Sequence, residues 1–249
     1  MGYIENPKTA GSGIICCIPQ TGICPHNCPD CFFQSGRSYL EPLCDHLPNI
    51  PTLEQVGHRI VRVNDGNDSN VNKKEVIEKT KHFKHMFYNT SVPDLDGFDA
   101  PVVLTVNPGQ MTDESFHSLD PDNIPTNLMF VRARVNMWNQ WLINDIVYHY
   151  TQLCQVPVVL TFMAYFKETI PQAYKEHYIL RTRTLNKYHA ISNVSWRGVM
   201  NNYQQNILVY SCGTEGISGS SKCSRCGNCL REYFNTLERM KLLDTTPEG

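Results

Sequence analysis

Seven of the eleven cysteines in this 249-residue chain fall into two tight groups, Cys24, Cys28 and Cys31 near one end and Cys212, Cys223, Cys226 and Cys229 near the other. A chain with this arrangement must bring each group together around something. The odd total and the first residues, Met1-Gly2-Tyr3-Ile4-Glu5-Asn6-Pro7, argue against an exported disulfide framework. That opening lacks the basic and apolar regions of an export signal, and Asn6 stands where a myristoylation signal needs Ser or Thr. No apolar run approaches the ~20 residues of a membrane span. The expectation is a soluble, cytoplasmic protein whose clustered thiols bind metal.

Composition sets the size of what surrounds the thiols. Hydrophobic residues make up 41% and aromatics 10%, enough for a substantial core and too much for a disordered chain. Twenty-two basic against 24 acidic residues leave a net charge of −2, which disfavours a general nucleic-acid binder. Short Val/Ile/Leu-rich runs predict strands over 14–18, 60–64, 102–107, 129–134, 158–163 and 207–210.

Helical patterns lie between and beyond these runs. Thr52-Leu53-Glu54-Gln55 has the capping-box form. A stripe of Val76, Thr80, Phe83 and Phe87 predicts a helix over 71–88, and a second spans 138–153. Pro171 suits the first turn of a helix running toward Leu180, Ser195 can cap another, and a last helix covers 230–242. Alternating strands and helices predict an α/β fold with a parallel sheet, the six units suiting a closed or partly open barrel whose site lies at the strand C-termini. The domains expected are 1–211 for the barrel and 212–249 for a cysteine-rich extension.

The first group reads Cys24-Pro25-His26-Asn27-Cys28-Pro29-Asp30-Cys31 and directly follows the first strand. Three thiolates at C-x3-C-x2-C can hold three irons of a cubane and leave the fourth without a protein ligand. Structural zinc requires a fourth ligand, for which His26 is nearest. This loop resembles the radical S-adenosylmethionine (radical SAM) enzymes, whose signature has this spacing after strand one of a (βα)6 partial TIM-type barrel. The resemblance implies a 4Fe-4S cluster on Cys24, Cys28 and Cys31 with S-adenosyl-L-methionine chelated at the open iron. Reductive cleavage there would give a 5′-deoxyadenosyl radical that takes hydrogen from a substrate. It also implies a reductant such as flavodoxin or ferredoxin. The family carries an aromatic residue just before the third cysteine. Here that residue is Asp30, with Phe32 and Phe33 after the cysteine as substitutes near the adenine.

Strand-end residues supply the remaining candidates. Alternation on 129–136 turns Arg132, Arg134 and Asn136 inward and Val131, Ala133 and Val135 toward a helix layer. Buried arginines call for an anion, and the carboxylate of S-adenosylmethionine or an anionic substrate answers it. Where the family has a Gly-Gly-Glu-like segment for the cofactor's amino group, this chain has Asn64-Asp65-Gly66-Asn67, with Gly66 permitting a tight turn. Asn107, Thr161, Met163 and Tyr165 fall near strand ends and are further candidates to line the cavity.

The second group, Cys212-x10-Cys223-x2-Cys226-x2-Cys229, has a ferredoxin-like rhythm and resembles the auxiliary-cluster extensions (SPASM and twitch types) of the same family. A second 4Fe-4S cluster is expected there, with structural zinc as the other occupant. Cys16, Cys17 and Cys154 read as small core hydrophobes. The substrate class expected is a peptide or small metabolite. A non-catalytic iron–sulfur electron carrier or redox sensor, and a zinc-stabilised binding module, are the other functions compatible with these thiols.

Overall fold

A computed structural model describes residues 2–28, 31, 33–34, 36, 38–107, 119–183, 186–212 and 223–244. Among them, seven strands form one all-parallel sheet. These are β1 (Ile14–Cys17), β2 (Ile60–Val63), β3 (Met86–Thr90), β4 (Val102–Val106), β5 (Leu128–Val135), β6 (Val158–Phe162) and, after an inserted antiparallel hairpin of β7 (Tyr178–Arg183) and β8 (Asn186–Ile191), β9 (Val209–Ser211). They lie side by side in chain order, β1-β2-β3-β4-β5-β6-β9. Among the described residues β1 and β9 do not pair, so the sheet is open. The α/β class and parallel sheet agree with a partial TIM-like fold.

The helices are α1 (Leu43–His46), α2 (Leu53–Val56), α3 (Lys73–Thr80), α4 (Gln140–Tyr148), α5 (Asn193–Asn201), α6 (Cys223–Cys226) and α7 (Asn228–Asp244). Thr52 and Gln55 make both bonds of the capping box at α2. The helix placed at 138–153 is α4 with a π-turn added at its end, His149–Leu153.

Two helical expectations fail for one reason. The stripe over 71–88 ends at Thr80, whose hydroxyl bonds back to the Val76 carbonyl at 2.7 Å, and Phe87 belongs instead to β3. Likewise 172–177 is a 3-10 turn, and Leu180 lies in β7. A short apolar run carries too few periods to separate helix from strand; burial inside the sheet decides it for Phe87, and antiparallel pairing with β8 decides it for Leu180. Ser192, not Ser195, caps α5, accepting from the Ser195 N–H at 3.2 Å.

The sheet's two faces have different roles. Ile15, Val61, Leu104, Val131, Ala133 and Val135 pack outward against Val56, Val76, Ile143, Ile146 and Val199 of the helices. The other face carries Ile14, Ile60, Phe87, Val103, Phe130 and Val159 around Tyr233 of α7. Each of these large side chains contributes roughly 1.5–3 kcal/mol by leaving water. α7 thus fills the N-terminal half of the concave face, and Arg239 fastens it by donating to the Leu128 carbonyl at 2.6 Å. The residues that follow toward the strand C-termini on this face are polar: Arg62, Asn64, Asn89, Thr105, Arg132, Arg134 and Thr161.

Candidate metal centre

The loop after β1 is held to the loop after β2 by side-chain bonds that need buried polar residues at both ends. Gln20 Nε2 donates to the carbonyls of Asp68 (2.9 Å) and Val71 (3.1 Å), and Asn67 Nδ2 donates to the Gly22 carbonyl at 3.0 Å. Asp68 is the hub. Its carboxylate accepts from Thr90 Oγ1 (2.7 Å), Ser91 N–H (2.6 Å) and Ser91 Oγ (2.7 Å), and His26 Nε2 lies 3.6 Å away. His26 sits between Cys24 and Cys28, so the Asp68 carboxylate lies against the cysteine loop itself.

Within that loop Asn27 takes a left-handed φ of 42°, which asparagine tolerates, and the Cys31 N–H bonds to the Cys28 carbonyl at 3.1 Å. Burial pushes the Cys24 thiol up to about 11; the His26 backbone N–H works against this, and Asp68, Cys28 and Cys31 add to it. The three sulfurs therefore share one electrostatic neighbourhood. Among the described residues no three His, Cys, Asp or Glu side chains stand close enough together to hold a metal ion. Asp30 and Phe32 lie outside the described residues.

The segment after β2 divides into one residue with an open polar atom and three with structural tasks. Asn64 has φ 62° and donates Nδ2 to Ser69 Oγ at 3.0 Å, while its buried Oδ1 has no partner among the described residues. Asp65 is turned away from the loop: its carboxylate accepts from Asn6 Nδ2 at 2.7 Å and meets Arg62 at 3.3 Å, with its side chain 1% exposed. Asn67 accepts from the Asp68 N–H at 2.9 Å besides strapping Gly22. Gly66 is not in the left-handed region. It is glycine because the buried Phe33 ring lies against it, and a Cβ would stand 2.1 Å from that ring. Asp65, Gly66 and Asn67, expected to contact a cofactor, all three have a part in shaping the loop. Gly66→Ala is expected to displace Phe33 and cost about 1–3 kcal/mol, read as a lower urea midpoint at unchanged slope.

On β5 the alternation is as expected, with Val131, Ala133 and Val135 in the helix-facing core. Arg132 donates Nη1 to Asn89 Oδ1 at 2.9 Å. Arg134 is paired in register with Thr161, and Arg134 Nη1 and Thr161 Oγ1 are both buried without a partner among the described residues. Asn136 has a structural task as well. Its Oδ1 accepts from the Trp138 and Asn139 N–H groups at 3.1 and 2.9 Å, so it forms the turn into α4. Met163 and Tyr165 belong to an aromatic cluster with Trp138 and Tyr178 under the hairpin.

The C-terminal thiols lie against the concave face. Cys212 and Cys229 pack beside Phe130 and Val159. A hydrogen bond from Cys226 holds the Cys212 thiol well below the ordinary range despite burial, helped by Lys8, Arg132 and Arg62. Burial raises the Cys229 thiol against the pull of the same two arginines. Burial lowers Arg132, opposed by Cys229 and Cys212 and reinforced by Arg62 and Arg134. Arg62, Arg132 and Arg134 thus share the polar half of this face, with the Asp65 carboxylate paired to Arg62 at 3.3 Å and the C-terminal thiols as further neighbours of Arg62 and Arg132. Arg62 and Asp68 were not singled out by sequence. The polar residue in Ile60-Val61-Arg62-Val63 was the available signal for the first, and nothing local marked the second.

No family model, curated protein or solved structure matches this chain. The chemistry of the site therefore rests on its donors alone. Two thiol sets, an open acceptor (Asn64 Oδ1) and open donors (Arg134 Nη1, Thr161 Oγ1) gather at one end of a parallel sheet. Orphaned buried atoms cost about 1–3 kcal/mol each, and a polar ligand removes that cost. Among the described residues no helix is long and apolar enough to cross a membrane.

Proposed function

We propose that this chain is a radical SAM enzyme on a partial (βα)6 barrel, with a second cluster in its C-terminal extension. The observation that carries this reading is the C-x3-C-x2-C loop after β1, strapped to the loop after β2, on a sheet whose strand ends at β2, β5 and β6 carry buried polar atoms without a partner among the described residues. Cys24, Cys28 and Cys31 would hold the catalytic cluster, a donor set whose spacing suits three corners of a cubane. Asn64 Oδ1 suits the ammonium of S-adenosylmethionine. Arg134 Nη1 and Thr161 Oγ1 suit its carboxylate, as a charge-assisted contact.

When bound, cluster and cofactor supply a 5′-deoxyadenosyl radical from one electron. The protein's own task is orientation and exclusion of water. Asp68 lies against the cysteine loop at His26, and α7 seals the far half of the concave face. Cys212, Cys223, Cys226 and Cys229 would hold the second cluster against Arg62 and Arg132. A flavodoxin or ferredoxin would be the reductant, the cytoplasm the setting, and a peptide or small metabolite the substrate.

The test is anaerobic reconstitution with iron and sulfide, then assay of 5′-deoxyadenosine from S-adenosylmethionine under dithionite. Product above the protein-free control supports the reading; fully loaded protein that makes none overturns it. Arg134→Gln is expected to raise the Kd for S-adenosylmethionine about ten- to a hundredfold by titration calorimetry, whereas Arg132→Gln, whose parent arginine already bonds Asn89, changes it less than about threefold.

A further inference from the structure

The sheet has two free edges, β1 and β9, and one short stretch of chain touches both. At the β9 side, Cys212 N–H bonds to the Leu160 carbonyl at 2.7 Å, and Asn228 Nδ2 at the start of α7 donates to the Ser211 carbonyl at 2.8 Å. Arg231 lies over the Tyr210 ring at 4.0 Å. At the β1 side, Cys223 N–H bonds to the Lys8 carbonyl at 3.0 Å, and Leu230 packs on Gly13 just before β1. Residues 223–230 therefore span the open side. Gly227, with φ 68°, makes the turn between α6 and α7 that allows it.

The four thiols sit on the separate pieces this span joins. Cys212 follows β9, Cys223 and Cys226 bound α6, and Cys229 begins α7, whose Tyr233 and Leu237 fill the concave face. Among the described residues, the Cys223–Lys8 backbone bond and the Leu230–Gly13 contact tie this stretch to the β1 side, and Asn228 and Arg231 tie it to the β9 side. Cys212 and Cys229 pack on the cluster of Ile60 and Phe130, and Arg62 of β2 and Arg132 of β5 follow those two residues on the same face, supplying cations for an anionic tetrathiolate centre.

We propose that a metal centre on Cys212, Cys223, Cys226 and Cys229 is a clasp that joins the two edges of the open sheet. This rests on the reading that these thiols take a metal, but not on radical chemistry at the other site. The shared ligand chemistry is a thiolate-bound centre of net negative charge, which either an iron–sulfur cluster or zinc provides. Loading it ties β9 and the arm before β1 to one helix, so binding free energy becomes closure of the sheet.

Hydrogen exchange on the full chain tests this. The Cys28→Ser protein, which cannot complete the first site, is stripped anaerobically and then given either ferrous iron with sulfide or zinc alone. Loading is expected to slow exchange about tenfold or more in 8–17, 209–212 and 223–237, while α3 and β3 change little. Adding Cys226→Ser, or Cys229→Ser in case the first fails to fold, should abolish the slowing. Protection by zinc but not by iron and sulfide supports the clasp while removing the second iron–sulfur cluster from the proposed function. Metal bound at the four thiols without protection at the β1 arm overturns the clasp, as does failure of both zinc and iron with sulfide to bind them.

Discussion

Cys28→Ala is expected to take 5′-deoxyadenosine formation to the level seen without protein, while the C-terminal thiols keep their metal. The middle cysteine of the loop is held in place from both sides: Asn27 before it makes the left-handed turn, and its carbonyl accepts the Cys31 N–H. Losing one of three thiolates removes a corner of the centre, whereas the Asp68–His26 contact and the buried Gln20 keep the loop's path. Iron and sulfide content should fall by about half if each site holds a 4Fe-4S cluster. Activity retained in Cys28→Ala, at any fraction well above background, would remove the loop from the chemistry. The effect is chemical and not structural, so far-UV circular dichroism and the thermal transition of the variant should match the parent's.

Asp65→Asn should produce the largest loss of stability, about 3–5 kcal/mol, or roughly 6–20 °C in Tm for a chain of this length. Arg62 and Asp65 meet at 3.3 Å inside the sheet, with side chains 13% and 1% exposed. Neutralising the carboxylate leaves Arg62 among Arg132 and Arg134 with one fewer anion, and it weakens the acceptor for Asn6 in the N-terminal arm. Arg62→Met combined with Asp65→Leu should recover part of the loss, because breaking a buried pair costs more than replacing both partners with apolar groups. A double variant as unstable as the sum of the singles would show that the pair is not coupled. Loading the C-terminal thiols with metal should narrow the deficit of Asp65→Asn, since a negative centre there supplies Arg62 with another counter-charge.

How far the sequence can be read differs from residue to residue. Val131, Ala133 and Val135 against Arg132 and Arg134 are legible because a strand's period of two leaves only one face for the helices, and the apolar set must take it. Phe87 is not. It completes a helical stripe with Val76, Thr80 and Phe83, and only its place between β2 and β4 in the sheet makes it a strand residue. Gly66 shows a subtler gap. Its presence suggests a turn, yet the cause is the ring of Phe33, more than thirty residues earlier in the chain. Asp65 and Asn136 look like ligands because a polar side chain at a strand end has no visible partner in one dimension. Asn6, Arg62 and the Trp138 and Asn139 N–H groups are those partners in three.

By itself the sequence determines that this is an α/β chain with a parallel sheet and two sets of clustered thiols, because periodicity and spacing are local properties that survive without tertiary context. The tertiary structure alone decides which polar strand-end atoms remain open among the described residues, Asn64 Oδ1, Arg134 Nη1 and Thr161 Oγ1 together with Arg62 Nε, and that residues 223–230 bridge the sheet's two edges. Those facts depend on which groups find a partner across the fold. Hydrogen bonding and charge pairing between residues far apart in the chain settle that only once the backbone has closed around them.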